Sequence, residues 1–215
     1  MHRTAATRNG DLAGRAFANS TECAAKYEAL VADLAPSLTT IFDSFKTAFL
    51  PDDHSFANAA ETGESREAGQ FLDVGCGPGS FTLQHLLPRL PSGLKRLVAV
   101  DNLESMLELA KKKNGHQKIE YKKLDILSER DVANFVNTEG NFRMVCSFLT
   151  LHLIGDHQRA MKNIATLMEP GGECFIIFYQ NHALCEIFAA MIDSPRWKDY
   201  SDVSTHKVGQ GTITL

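Results

Sequence analysis

Three glycines at alternate positions lie in Phe71-Leu72-Asp73-Val74-Gly75-Cys76-Gly77-Pro78-Gly79-Ser80, after a short apolar run and ahead of a helical pattern. Such spacing lets a backbone turn through positive φ and removes side chains that would keep a ligand off the main chain. The pattern that seats a dinucleotide pyrophosphate is G-x-G-x-x-G; here the third glycine comes one residue early and Ser80 stands where that pattern has glycine. The loop therefore suits a nucleotide-like ligand without a pyrophosphate, and an NAD-linked oxidoreductase is disfavoured. Two acids follow later apolar runs. Asp101 closes Leu97-Val98-Ala99-Val100, where a carboxylate can accept both hydroxyls of a ribose. Asp125, in Leu124-Asp125-Ile126, could receive an adenine amino group, with Ile126 and Met106 on the two faces of the ring. Plainer readings stay open beside these: Asp125 as a helix cap, Met106 as ordinary core.

A scaffold must bring these three loops to one edge. Apolar runs at 71–74, 97–100, 119–122, 144–148 and 173–179 read as strands, and 81–90, 103–113, 129–136 and 156–168 between them read as helices. Strands alternating with helices predict right-handed crossovers and an α/β fold, a doubly wound and mostly parallel sheet whose ligands bind at the carboxyl edge. The last of these helices is expected to bury Ala160, Met161, Ile164, Leu167 and Met168 and to expose Arg159, Lys162 and Asn163, until Glu169-Pro170-Gly171-Gly172 stops it. Ahead of the sheet, residues 1–21 read as a disordered leader. Residues 22–68 read as two amphipathic helices, 22–34 and 37–50 with Pro36 between them, and then an acidic linker. The main domain is expected over 69–203 and an atypical tail over 204–215.

The glycine turn with the two strand-end acids, in that order, resembles the class I S-adenosylmethionine (SAM) methyltransferases, whose first motif looks like Leu72-Asp73-Val74-Gly75-Cys76-Gly77-Pro78-Gly79. The resemblance implies a Rossmann-like fold with SAM as cofactor. It implies Asp73, Gly75, Cys76, Gly77, Pro78 and Gly79 near the methionine part, and Asp101 with Asn102 at the ribose. Met106, Asp125 and Ile126 would lie at the adenine, and Ser147 on the fourth strand beside the cofactor. The Asp/Asn-Pro-Pro-aromatic run that amino-methylating enzymes of this fold often carry is not present. Instead Phe142 to Ile154 and the helix after it are similar to arthropod juvenile hormone acid O-methyltransferases. The likeness continues through Gly171-Gly172-Glu173-Cys174 to Pro195-Arg196-Trp197-Lys198-Asp199-Tyr200.

That resemblance implies methyl transfer to the carboxylate of a small apolar acid, of the juvenile hormone acid or farnesoic acid kind. A carboxylate is already ionised at pH 7, so orientation can supply most of the catalysis and no residue is assigned as catalytic. Phe148, Leu149 and Leu153 are apolar enough to wall the acceptor pocket and equally suited to plain core packing. His152 could hydrogen-bond an acceptor oxygen or be structural; His157 reads as a surface group. Departures from the family are Leu153, where its members carry an aromatic, and an N-terminal Tyr, Asn and Gln signature of which only Tyr27 is seen. The family sheet continues past the fifth strand with a helix and an antiparallel hairpin. Here 182–192 reads as helix and the residues to Leu215 are too few for the hairpin. Two expectations follow: an alternative function as an inactive SAM-binding module, and an open edge on the fifth strand, covered by the tail or by a second copy in a homodimer.

The 215 residues and 23.7 kDa suit a single core, and 44% hydrophobic with 22% charged residues exclude a wholly disordered or fibrous chain. A net charge of -4 gives no basic field for nucleic acid, and no apolar run approaches the ~20 residues of a membrane span. Five scattered cysteines without a ligand spacing imply a reducing, cytoplasmic setting and no metal.

Overall fold

The computed structural model describes residues 21–50 and 69–179. The expected leader, the linker over 51–68, the helix at 182–192 and the tail lie outside the described residues. Five strands, β1 (Gln70–Val74), β2 (Arg96–Asp101), β3 (Ile119–Lys123), β4 (Phe142–Phe148) and β5 (Met168–Ile177), form one sheet in the order β3-β2-β1-β4-β5. Every pairing is parallel. The order reverses at β1, so the crevice between the β1 and β4 carboxyl ends is the switch point.

Side chains alternate between two apolar layers. Phe71, Leu97, Ala99, Met144, Cys146 and Phe148 face α1 (Thr21–Phe49) and α2 (Glu104–Lys113), whereas Leu72, Val74, Val98, Val100 and Val145 face α3 (Glu129–Glu139) and α4 (His157–Leu167). In that alternation Asp73 takes a core position on the first face, opposite Ala99 on β2 and Cys146 on β4. β5 is the edge strand of the sheet among the described residues; Phe175 and Ile177 pack on the first layer, Ile176 and Phe178 on the second.

Four local expectations are corrected. The two N-terminal helices are one, with Pro36 inside it. Pro36 and Ala32 are both exposed, so the carbonyl that loses its donor meets water, while Val31, Ala35, Leu38 and Phe42 hold the helix to the sheet. The helix expected over 81–90 is a wide π turn, Thr82–Leu86, followed by a 3-10 turn, Leu87–Arg89. Pro88 cannot donate to Gln84, and the Arg89 guanidinium donates instead to the His85 carbonyl at 2.8 Å. In α4 the faces are exchanged at two positions: Met161 is 40% exposed, and Asn163 is only 3% exposed because its amide donates to the Ile126 carbonyl at 2.7 Å. Met168 starts β5 rather than ending α4, and residues 169–172 loop out between the pairs Phe142/Met168 and Met144/Glu173.

The amino-terminal half of the sheet is tied by charge. Arg96 contacts Glu120 at 2.9 Å and Glu139 at 3.1 Å, Lys122 contacts the same two acids at 2.9 and 2.6 Å, and Arg96 also donates to the Gln70 side chain. The hydrogen bond from Lys122, with Arg96 adding to it, holds the Glu120 carboxyl below its usual range against partial burial.

Candidate active site

The glycine turn leaves β1 with φ of +79° at Gly75, +54° at Gly77 and +78° at Gly79, values that glycine adopts without a Cβ penalty. Its donors are all engaged. Gly75 and Cys76 both donate to the Val100 carbonyl, at 2.8 and 3.0 Å, Gly79 donates to the Cys76 carbonyl at 3.0 Å, and Gly77 donates to Asp101 Oδ2 at 2.9 Å. Pro78 has no N–H. No backbone donor from Gly75 to Gly79 is left to cradle a phosphate, which agrees with a ligand that has none.

Two of the glycines serve the protein's own packing. A Cβ on Gly75 would collide with the Thr150 side chain, and one on Gly79 with the Tyr121 hydroxyl. Tyr121 donates to the Asn114 carbonyl at 2.8 Å, and the Asn114 amide donates to the Pro78 carbonyl at 2.7 Å, bracketing the turn from β3. Thr150 shares its hydroxyl proton between the Gly75 and Phe148 carbonyls, both at 3.2 Å, and Ser147 donates to the Val74 carbonyl at 3.0 Å.

Asp101 stands at the end of β2. One oxygen accepts from Gly77 and the other from the Leu103 N–H at 2.9 Å, which fixes the carboxylate plane and leaves lone pairs on both oxygens. Burial raises its pKa, with these backbone donors opposing. Asp73 is deeper: its carboxyl is buried, accepts the Thr82 hydroxyl at 2.6 Å, and is pushed up to about 6 by burial, with Asp101 adding to the rise and Thr82 opposing it. Burial also raises the Cys76 and Cys146 thiols well above their ordinary value, so neither is a ready nucleophile.

Between the turn, the end of β4 and α1 lies a narrow crevice of about 20 Å³, walled by Val31, Leu38, Phe81, Phe148 and Leu149 with Asp73 at its base. Of the sequence-derived candidates, Asp73, Gly75, Cys76, Pro78, Phe148 and Leu149 line it. Gly77 joins the turn to Asp101, and Asn102 beside Asp101 is exposed. Met106 and Ile126 are buried. Asp125 accepts from the Leu127 N–H at 2.9 Å, and the cap of α3 is Ser128, which accepts from Asp131. His152 and Leu153 lie in a short turn, Leu151–Leu153, outside the crevice lining: Leu153 is 64% exposed, and the His152 ring stands against Tyr179 with centroids 5.6 Å apart. His157 is partly buried, not a free surface group, and bonds the Leu151 carbonyl at 2.8 Å. Thr82, Asn114, Tyr121, Thr150 and Asn163 were not legible as site residues. Each is a polar side chain that satisfies a group outside its own element, and no local spacing announces that.

Residues 71–172 match the family model described as a methyltransferase domain. The chain is 31% identical over 129 residues to the juvenile hormone acid O-methyltransferase of Bombyx mori, a match covering 60% of this chain and 45% of that protein. It is 29% identical over 145 residues to the Drosophila melanogaster juvenile hormone acid O-methyltransferase, covering 66% and 48%. The chain thus spans about half the length of the curated relatives it matches. Among solved structures, a SAM-dependent methyltransferase from Anabaena variabilis ATCC 29413 superposes with a TM-score of 0.50 over 85% of this chain and 77% of that one, at 19% identity, a likeness of fold. The glycine turn and both strand-end acids lie inside the matched segment and the parallel sheet borders it, so residues 71–172 are similar to the methyltransferase-domain family and the sheet shares the fold of SAM-dependent methyltransferases.

Proposed function

We propose that this chain binds SAM at the switch point and methylates the carboxylate of a small apolar acid, of the juvenile hormone acid or farnesoic acid type. The observation that carries the reading is a crevice whose walls are aliphatic and aromatic and whose base is an acid, beside a glycine turn without spare phosphate donors. When bound, SAM supplies an electrophilic methyl on a positively charged sulfur.

The chain's residues fit that group. Asp101, its plane fixed by two N–H bonds, has lone pairs to accept both ribose hydroxyls. Asp73 is ionised above about pH 6 and then places a buried negative charge at the base of the crevice, where a cation is favoured. Val31, Leu38, Phe81 and Phe148 supply apolar surface that an acceptor tail would part and pack against, excluding water and stripping hydration from the acceptor carboxylate. Among the described residues neither Lys, Arg nor His lines this crevice, and none is needed, because the acceptor has no proton to lose at pH 7. Orientation is the remaining contribution.

Calorimetry with SAM and with NAD, followed by transfer of labelled methyl onto a panel of farnesoic acid, amines and phenols, tests the proposal. SAM binding with ester formation on the acid supports it; no SAM binding, or transfer only to amines or phenols, overturns it. A second reading, a SAM-binding module without turnover, is favoured by one observation: of the four residues expected to face the acceptor, Phe148 and Leu149 line the crevice but His152 and Leu153 do not. SAM binding with no product on any of the panel would select it.

A further inference from the structure

We propose that Leu149 sets the fit of the acceptor and that the fold holds its backbone in strain to do so; the inference rests on the acid-methylating reading above. Among the described residues Leu149 is the only non-glycine with positive φ, at +54°. A side chain with a Cβ disfavours that conformation, and such outliers persist only where neighbours over-determine them.

The neighbours do so here from both sides. The Leu149 N–H donates to the Ile177 carbonyl at 2.7 Å, which ties it to β5. The next residue, Thr150, sits against Gly75, and its hydroxyl reaches the Gly75 and Phe148 carbonyls. Gly75 has no Cβ, and only its absence makes room for Thr150. The left-handed turn at Leu149 and the missing side chain at Gly75 are therefore two halves of one joint between the cofactor loop and the end of β4. Glycine or asparagine would take this φ at lower cost, so the leucine side chain is there for what it touches. It lies in the crevice lining together with Phe148, with Val31 and Leu38 of α1, and with Asp73. That is the wall an apolar acceptor tail must pass to reach the methyl donor.

The test uses the full chain with Leu149→Ala, which keeps the strained φ and removes the wall, Leu149→Gly, which removes both, and Leu149→Met, which keeps the volume. Three quantities are read: the urea unfolding midpoint, calorimetric affinity for S-adenosylhomocysteine, and calorimetric affinity for farnesoic acid in its presence. The Gly variant should be at least as stable as the Ala variant, the reverse of the usual order. Farnesoic acid affinity should fall about tenfold in both and stay within about threefold in the Met variant, while S-adenosylhomocysteine affinity stays within twofold throughout. A Gly variant clearly less stable than the Ala variant overturns the strain. Unchanged acid affinity in the Ala variant, or equal losses of both ligands, overturns the acceptor role even if the wild type methylates the acid. If the Ala and Gly variants fail to fold, Leu149→Asn, which tolerates the positive φ and removes the apolar wall, is read in their place: a loss of about tenfold in acid affinity supports the role, and unchanged acid affinity overturns it. A wild type that binds none of the acids overturns both this inference and the acid-methylating reading.

Discussion

Asp73→Asn should make the ligand-free protein more stable at neutral pH, with a gain that disappears on acidification. The carboxyl occupies an in-register slot between Ala99 and Cys146, with the Thr82 hydroxyl as a hydrogen-bond partner. Its pKa is pushed up to about 6 from an ordinary 3.8, so between those values the native state binds the proton that the unfolded chain has already released. Stability from this group is complete below pH 3.8 and is lost as pH rises through about 6; above that, the ionised carboxylate costs roughly 3 kcal/mol. Asparagine keeps an acceptor for Thr82 but introduces an amide NH₂ that must find a partner, at roughly 1–3 kcal/mol if it does not. The absolute gain is therefore smaller than the carboxylate's cost, about 0–2 kcal/mol at pH 7.5. The amide's cost is independent of pH, so the difference between variant and wild type isolates the titration. Urea unfolding of both from pH 7.5 to pH 4 should show that difference shrinking by about 2 kcal/mol. A difference that stays constant over this range would refute the argument that Asp73 is a desolvated, titrating carboxylate.

Asp101→Ala should weaken SAM binding by roughly 1.5–3 kcal/mol through loss of a charge-assisted contact, measurable by calorimetry; an unchanged Kd would remove Asp101 from the ribose site. Gly75→Ala should lower the thermal midpoint, because it meets both a φ of +79° and the Thr150 side chain, and Thr150→Ala in the same chain should restore part of the loss. No recovery would mean that the φ alone is limiting. Among Cys76, Cys146 and Cys174, a thiol reagent followed by peptide mass spectrometry should modify Cys174 first, since it is exposed and the other two are buried. We also propose that a second copy or the tail pairs along the outer edge of β5; sedimentation showing a monomer, with fast amide exchange over 173–179, would count against both.

Most of the strands were legible because β1, β2 and β4 are short apolar runs and β3 alternates Ile119 and Tyr121 with polar residues, and the glycine turn because its chemistry is local. Elements decided by non-local partners were not. Pro36 signals a break only if the orphaned carbonyl has nowhere to go, and here it faces solvent. Periodicity put Asn163 outside because a polar side chain is assumed to seek water, yet the Ile126 carbonyl was a partner inside. Asp73, Asp101 and Phe148 were readable as candidates from position at strand ends. The joint of Leu149, Thr150 and Gly75 was not, because it depends on two loops 75 residues apart meeting in space.

The charged lacing at the amino-terminal half of the sheet has a consequence for how the molecule answers acid. Glu120, held down by Lys122 and Arg96, forfeits its contribution as pH falls through its lowered pKa, an effect made modest by solvent at its partly exposed side chain. Asp73 and Asp101, held up by burial, relax over the same descent. Mild acid thus eases the end of the sheet that carries the chemistry before it unfastens the end that carries none.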